Sequence, residues 1–192
     1  EIGVRLVGSE MCIRDRVHII TFILYTACTP VKNINTYSKD ELIFKSDSLM
    51  LAFPNDSDLI QSIITAKIDF ARDNEDISVY KEILILDPKN PVAQYHTLMD
   101  AGFNYHKKDY KNGQWDAIES FSKAATYIDT LGEPYYWIGQ AYEKKDEMDF
   151  DLPLESYNKS LELYLNQAMR EKVILSKQKL LNRKKAYEDF WK

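Results

Sequence analysis

The sequence predicts an all-α fold: a solenoid of about three helical pairs, closed by a long C-terminal helix. Three observations predict it. Only 6 Gly and 6 Pro interrupt 192 residues, and the chain between them is rich in Leu, Lys and Glu, which lose little rotamer freedom in a helix. Two segments in the middle of the chain repeat each other at a distance of 36 to 37 residues. The last stretch carries Met169, Val173, Leu180, Tyr187 and Trp191 at helical spacings of four, seven, seven and four, a narrow apolar stripe on one face.

The repeat is explicit in the residues. "LMDAGFNYHKK" (98–108) aligns with "YYWIGQAYEKK" (135–145), each with Gly, two residues, Tyr, one residue and Lys-Lys. "AIESFSKA" (117–124) aligns with "PLESYNKS" (153–160), placing Glu-Ser, an aromatic and Lys in identical order. Gly102 and Gly139 are 37 apart, and Glu119 and Glu155 are 36 apart. The first helices match at Leu98, Ala101, Gly102 and Tyr105, then at Tyr135, Ile138, Gly139 and Tyr142. The second helices carry Ala117, Phe121 and Ala124, then Pro153, Tyr157 and Ser160.

This pattern resembles the tetratricopeptide repeat, although the period exceeds the usual ~34 residues. The surplus falls in the turns "DYKNGQW" and "DEMDFD", where a solenoid tolerates insertion. A third copy lies upstream, with a second helix and closing turn in "DISVYKEILILDPKNP" (76–91) and a first helix in Asp58 to Ala71. This copy is degenerate, because Ile64 and Lys67 stand where the others have Gly and Tyr. The physical logic is packing. Gly on the first helix admits the aromatic of the second, and three pairs must stack before such units bury a continuous core. The repeat domain is expected to run over 57–192.

The C-terminal helix is expected from about residue 167. Its remaining faces are basic, with Arg170, Lys172, Lys177, Lys179, Arg183, Lys184 and Lys185. Two readings stand: a cap that seals the last repeat, or a docking surface for an acidic partner or anionic lipid.

The N-terminus reads differently. "LVGSEMCIRDR" (6–16) resembles the in-frame translation of a sequencing-library adapter, so residues 1–16 are expected to be a non-native scar. "HIITFILYTA" is about ten residues, half of the ~20 a membrane-spanning helix needs, and suits the apolar core of an export signal. The run ends in Thr26 and Ala27, and Cys28 follows it. That order resembles the lipobox of bacterial lipoproteins, with Tyr25 where the family has an aliphatic residue. The resemblance implies that residues 17–28 are a truncated signal, that Cys28 carries a diacyl anchor, and that the protein sits at the periplasmic side of a bacterial envelope. Residues 29–56 are expected to form a flexible tether. Cys12 and Cys28 are the only cysteines, so the repeat region has no disulfide framework and no thiol nucleophile.

Nothing in the residues marks a reaction. His96 and His106 are ten apart, not the four of a helical zinc pair. Neither a phosphate loop nor a nucleophile elbow is present. Asp146, Glu147, Asp149 and Asp151 lack calcium-loop spacing and suit a solvated turn. No cofactor, metal or catalytic residue is expected, and a net charge of -5 argues against a nucleic-acid partner. Trp115 and Trp137 fall at expected core positions.

Function is therefore expected on a surface. The tetratricopeptide resemblance implies a concave groove lined by first helices and occupied by a protein or peptide. Counting from the Gly position assigns it His96, Met99, Phe103 and His106, then Tyr136, Gln140 and Glu143, with Gln61 and Thr65 in the degenerate copy. Phe103 suits either a partner anchor or packing between repeats. The leading expectation is a non-enzymatic, lipid-anchored scaffold. The alternatives are a fragment of a larger glycan-binding outer-membrane lipoprotein and a cytoplasmic adaptor.

Overall fold

The computed structural model describes residues 37–108 and 111–192. The segments expected to be a scar and a signal, Cys28, and the start of the expected tether lie outside the described residues. Helices α1 (Lys39–Phe44) and α2 (Ser46–Ala52) come first. Three pairs follow: α3 (Ser57–Asn74) with α4 (Ile77–Leu86), α5 (Pro91–His106) with α6 (Lys111–Tyr127), and α7 (Glu133–Lys145) with α8 (Asp151–Glu162). The long helix α9 (Gln167–Phe190) closes the series. The fold is all-α and repetitive, as the spacing predicts.

Local chemistry sets the starts. Asp56 caps α3 by accepting from the Leu59 amide at 3.0 Å. Asp76 caps α4 through Ser78 at 2.9 Å, Asn90 caps α5 through Ala93 at 3.1 Å, and Asn166 caps α9 through Met169 at 2.8 Å. Each satisfies an amide that has no partner within its own helix. The acidic turn before α8 works the same way: Asp149 Oδ1 accepts from the Asp151 and Leu152 amides at 3.2 Å.

The Gly–aromatic pairing is the packing device of two repeats. A Cβ on Gly102 would lie 2.6 Å from Phe121 Cδ1, and one on Gly139 would lie 2.8 Å from Tyr157 Cδ1. Both rings are completely buried. In the degenerate copy Ile64 fills the Gly position and is itself buried. The Tyr80 ring turns to the next repeat instead, where it stacks on His96 with centroids 4.2 Å apart. Lys67, in place of the second Tyr, is buried and paired with Glu82 at 2.6 Å. The α3–α4 pair consequently packs less extensively than the other two.

A second device ties together the two ends of the third pair. The Gly132 amide donates to the Tyr164 carbonyl and the Tyr164 amide to the Thr130 carbonyl, both at 2.9 Å. Ser160 Oγ donates to the Gly132 carbonyl at 2.7 Å. Any Cβ at residue 132 would strike the Ser160 carbonyl, so the loop before α7 can lie on the end of α8 only with Gly there.

Two expectations are corrected. Residues 29–56 are not all tether. Residues 39–52 form α1 and α2, whose Leu42 and Leu49 are buried, and Lys39 pairs with Asp69 of α3 at 2.6 Å. Each helix carries an apolar cluster, Leu42, Ile43 and Phe44 in the first and Leu49, Met50 and Leu51 in the second, of which Leu42 and Leu49, seven apart, are buried while Phe44 and Leu51 stay exposed. Trp115 is not core: it is 51% exposed, with Lys145 Nζ 3.8 Å above its ring. Trp137 is half-buried among Phe103, Phe121 and Tyr136.

Candidate functional site: the first-helix face

The residues expected to line the groove sort into three groups. Gln61 and Thr65 are exposed on α3 and line a cleft of about 430 Å³ with Lys39 and Leu42 of α1. His106, Gln140 and Glu143 converge on a second cleft of about 550 Å³, shared with Lys144 and Glu147 and with Ser176, Lys179 and Arg183 of α9. Between the two clefts the face is largely filled by its own packing.

Two of the expected residues are corrected here. Met99 is 4% exposed and belongs to the core shared by α5, α6 and α7. Tyr136 is 8% exposed and packs between Trp137 and Tyr157, at centroid distances of 5.1 and 5.9 Å. Neither offers a surface: α6 and α7 cover Met99, and Tyr157 of α8 with Val173 and Leu180 of α9 cover Tyr136. Phe103 lies edge-on to Phe121 at 5.4 Å and to Trp137 at 5.0 Å, which is the packing alternative. His96 is half-buried against Tyr80 and Tyr95.

The second cleft is held by a hydrogen-bond network. The Gln140 amide donates to the Tyr157 hydroxyl, which in turn donates to Glu143. The other Glu143 oxygen takes Arg183 at 2.6 Å, and Arg183 also donates to the Glu147 carbonyl at 2.7 Å. Burial, then the bond to Glu143, pushes the Tyr157 phenol far above its ordinary range. It stays protonated as the donor. Lys144 donates to the His106 carbonyl at 2.9 Å, and His106 Nδ1 pairs with Gln114 Oε1 at 2.8 Å. Burial, with help from Lys144, holds His106 below the usual histidine value, against the pull of Gln114. His96 is lowered too, by burial and then by Arg72. Both imidazoles are therefore neutral at neutral pH.

Counting from the Gly position could not find Ser176, Lys179 and Arg183. Their spacing of three and four does place them on one face of α9, so the signal was present. Its target, the α7 carboxylate, was not. The cleft presents amide, hydroxyl, cation and carboxylate groups side by side. Among the described residues no cluster of three or more His, Cys, Asp or Glu is arranged to hold a metal. No described helix is long and apolar enough to cross a membrane.

These features define a helical-repeat protein whose pairs fit a tetratricopeptide-like repeat. No family model matches the chain, and no curated protein matches it. Among solved structures it is similar to MamA, at 19% identity over 79% of this chain and 91% of that one, with a TM-score of 0.37.

Proposed function

We propose that this chain is a non-enzymatic scaffold that binds a protein or peptide partner along its first-helix face. The observation that carries the reading is the open cleft of about 550 Å³ where α5, α7 and α9 meet. Gln140, Lys179 and Ser176 face a partner there, while Glu143 and Arg183 hold the walls. Gln61 and Thr65 extend the same face at the other end. The test is a photo-crosslinking side chain placed at Gln140, Lys179 or, as control, exposed Lys81 on α4. One shared adduct at the first two positions and none at Lys81 is expected. Equal adducts at all three positions would remove the cleft from the reading.

The same proposal places the scaffold at a bacterial envelope, lipid-anchored through Cys28. The support is the short apolar run followed by Ala27-Cys28; two acyl chains anchor stably where one does not. Labelled palmitate should enter the wild type and not Cys28→Ala. A wild type without label ends the anchoring reading and leaves the cleft reading intact.

A further inference from the structure

The apolar stripe of α9 outruns the body it packs on. Val173 and Leu180 are 0% and 1% exposed, yet the stripe continues in register to Tyr187 and Trp191, at 39% and 70%. Phe190 beside them is 78% exposed. Tyr187 still touches the body through Phe150 at 5.7 Å, but beyond it the rings touch one another, Tyr187 to Trp191 at 6.1 Å and Phe190 to Trp191 at 5.3 Å. An uncovered aromatic patch of this kind marks an interaction surface.

Charge says what covers it. Residues 167–192 hold 8 Lys and Arg against 3 Asp and Glu, a net +5, whereas residues 37–166 hold 13 against 24, a net -11. The α9 end is a cationic, aromatic segment on an acidic body. Two α9 ends facing each other would repel. An anionic bilayer would attract α9 but repel the body that carries it. The body of a second copy attracts it.

That body has a matching groove. On the α6–α8 side, away from the cleft described above, Tyr135, Ile138 and Tyr142 of α7 floor a hollow of about 590 Å³. Leu152 and Glu155 of α8 form its wall, and Leu152 is 39% exposed. Burial, then the Asp149 and Glu155 carboxylates, pushes the Tyr142 phenol up. On the rim Lys159 pairs with Glu162, and Lys184 of the same copy with Asp151; the apolar floor beside Glu155 suits an aromatic segment flanked by lysines.

We infer that the chain pairs with itself: the α9 end of one copy, anchored by Phe190 and Trp191 and steered by Lys185, seats in the α6–α8 groove of a second copy, against Glu155. The end and the groove are different surfaces, so closure requires the contact to be reciprocal: each copy seats its end in the other's groove about a two-fold axis, whereas a one-way contact would propagate. The inference goes beyond the first-helix face and does not depend on it.

Sedimentation velocity of the full chain tests it, from micromolar to submillimolar concentration. The wild type should sediment as a dimer. Glu155→Lys and Lys185→Glu, both at exposed positions, should each give monomer. An equimolar mixture of the two should restore dimer, because each mixed contact again joins opposite charges. A wild type that stays monomeric overturns the inference, and so does a dimer indifferent to both substitutions. A monomer that binds phosphatidylglycerol vesicles through Trp191 also overturns it, and assigns the stripe to lipid.

Discussion

Gly102→Ala is the sharpest test of the packing argument, because two effects of known size oppose each other. Alanine favours a helix interior over glycine by about 1 kcal/mol. On an exposed face the substitution would therefore stabilise. Here the new methyl would lie 2.6 Å from Phe121 Cδ1 and 2.8 Å from its Cζ, and the ring has nowhere to go. Phe121 is completely buried, with Phe103 against one side at 5.4 Å and Trp137 stacked at 6.4 Å. Overpacking of this kind costs about 1–3 kcal/mol, and a clash with a fully enclosed ring belongs at the upper end. The net expectation is a loss of about 1–2 kcal/mol after the helix gain is subtracted. Urea unfolding followed by far-UV circular dichroism reads it directly. Phe121→Leu should cost stability alone, through the cavity it leaves, yet combine with Gly102→Ala for less than the sum, because the missing ring edge makes room for the methyl. A Gly102→Ala chain as stable as wild type would refute the reasoning, whatever the double variant does.

Three further outcomes follow from single groups. Tyr157→Phe removes the hydroxyl that joins Gln140 to Glu143, and should cost about 1–2 kcal/mol, measured in the same urea assay; a neutral result would mean water satisfies both partners. Glu75 holds φ at 53°, a left-handed conformation costing a non-glycine residue about 1 kcal/mol, so Glu75→Gly should raise stability by about 0.5 kcal/mol once unfolded-chain entropy is set against it. Both described histidines are held below the usual value by burial, so the unfolded chain binds more protons than the folded one as pH falls. Stability should therefore be full above the ordinary histidine value and decline below it; replacing both with Gln should flatten that decline between pH 7 and pH 5, as seen in thermal melts, and an unchanged slope would refute the assignment.

Some of this protein was written in one dimension. The helices, their caps and the Gly–aromatic pairing obey fixed spacings, because a helix places residues three and four apart on one face whatever surrounds it. Gly102 with Phe121, Gly139 with Tyr157, and the boundary of α9 near residue 167 could all be counted off the chain. Even the degenerate copy announced itself through Ile64 and Lys67.

Exposure could not be counted in the same way. Gly-based spacing put Met99, Phe103 and Tyr136 on the same face as Gln140, yet Met99 is sealed by α6 and α7 and Tyr136 by α8 and α9, while Gln140 opens onto a cleft. Trp115 has the composition of a core residue and stands half in water under Lys145. The site's decisive contact, Arg183 on Glu143, joins residues 40 apart in the chain. Spacing along one helix determines which side chains share a face. Only the neighbour that packs against that face decides whether they meet water, a partner or the protein's own interior, and that neighbour is chosen in three dimensions.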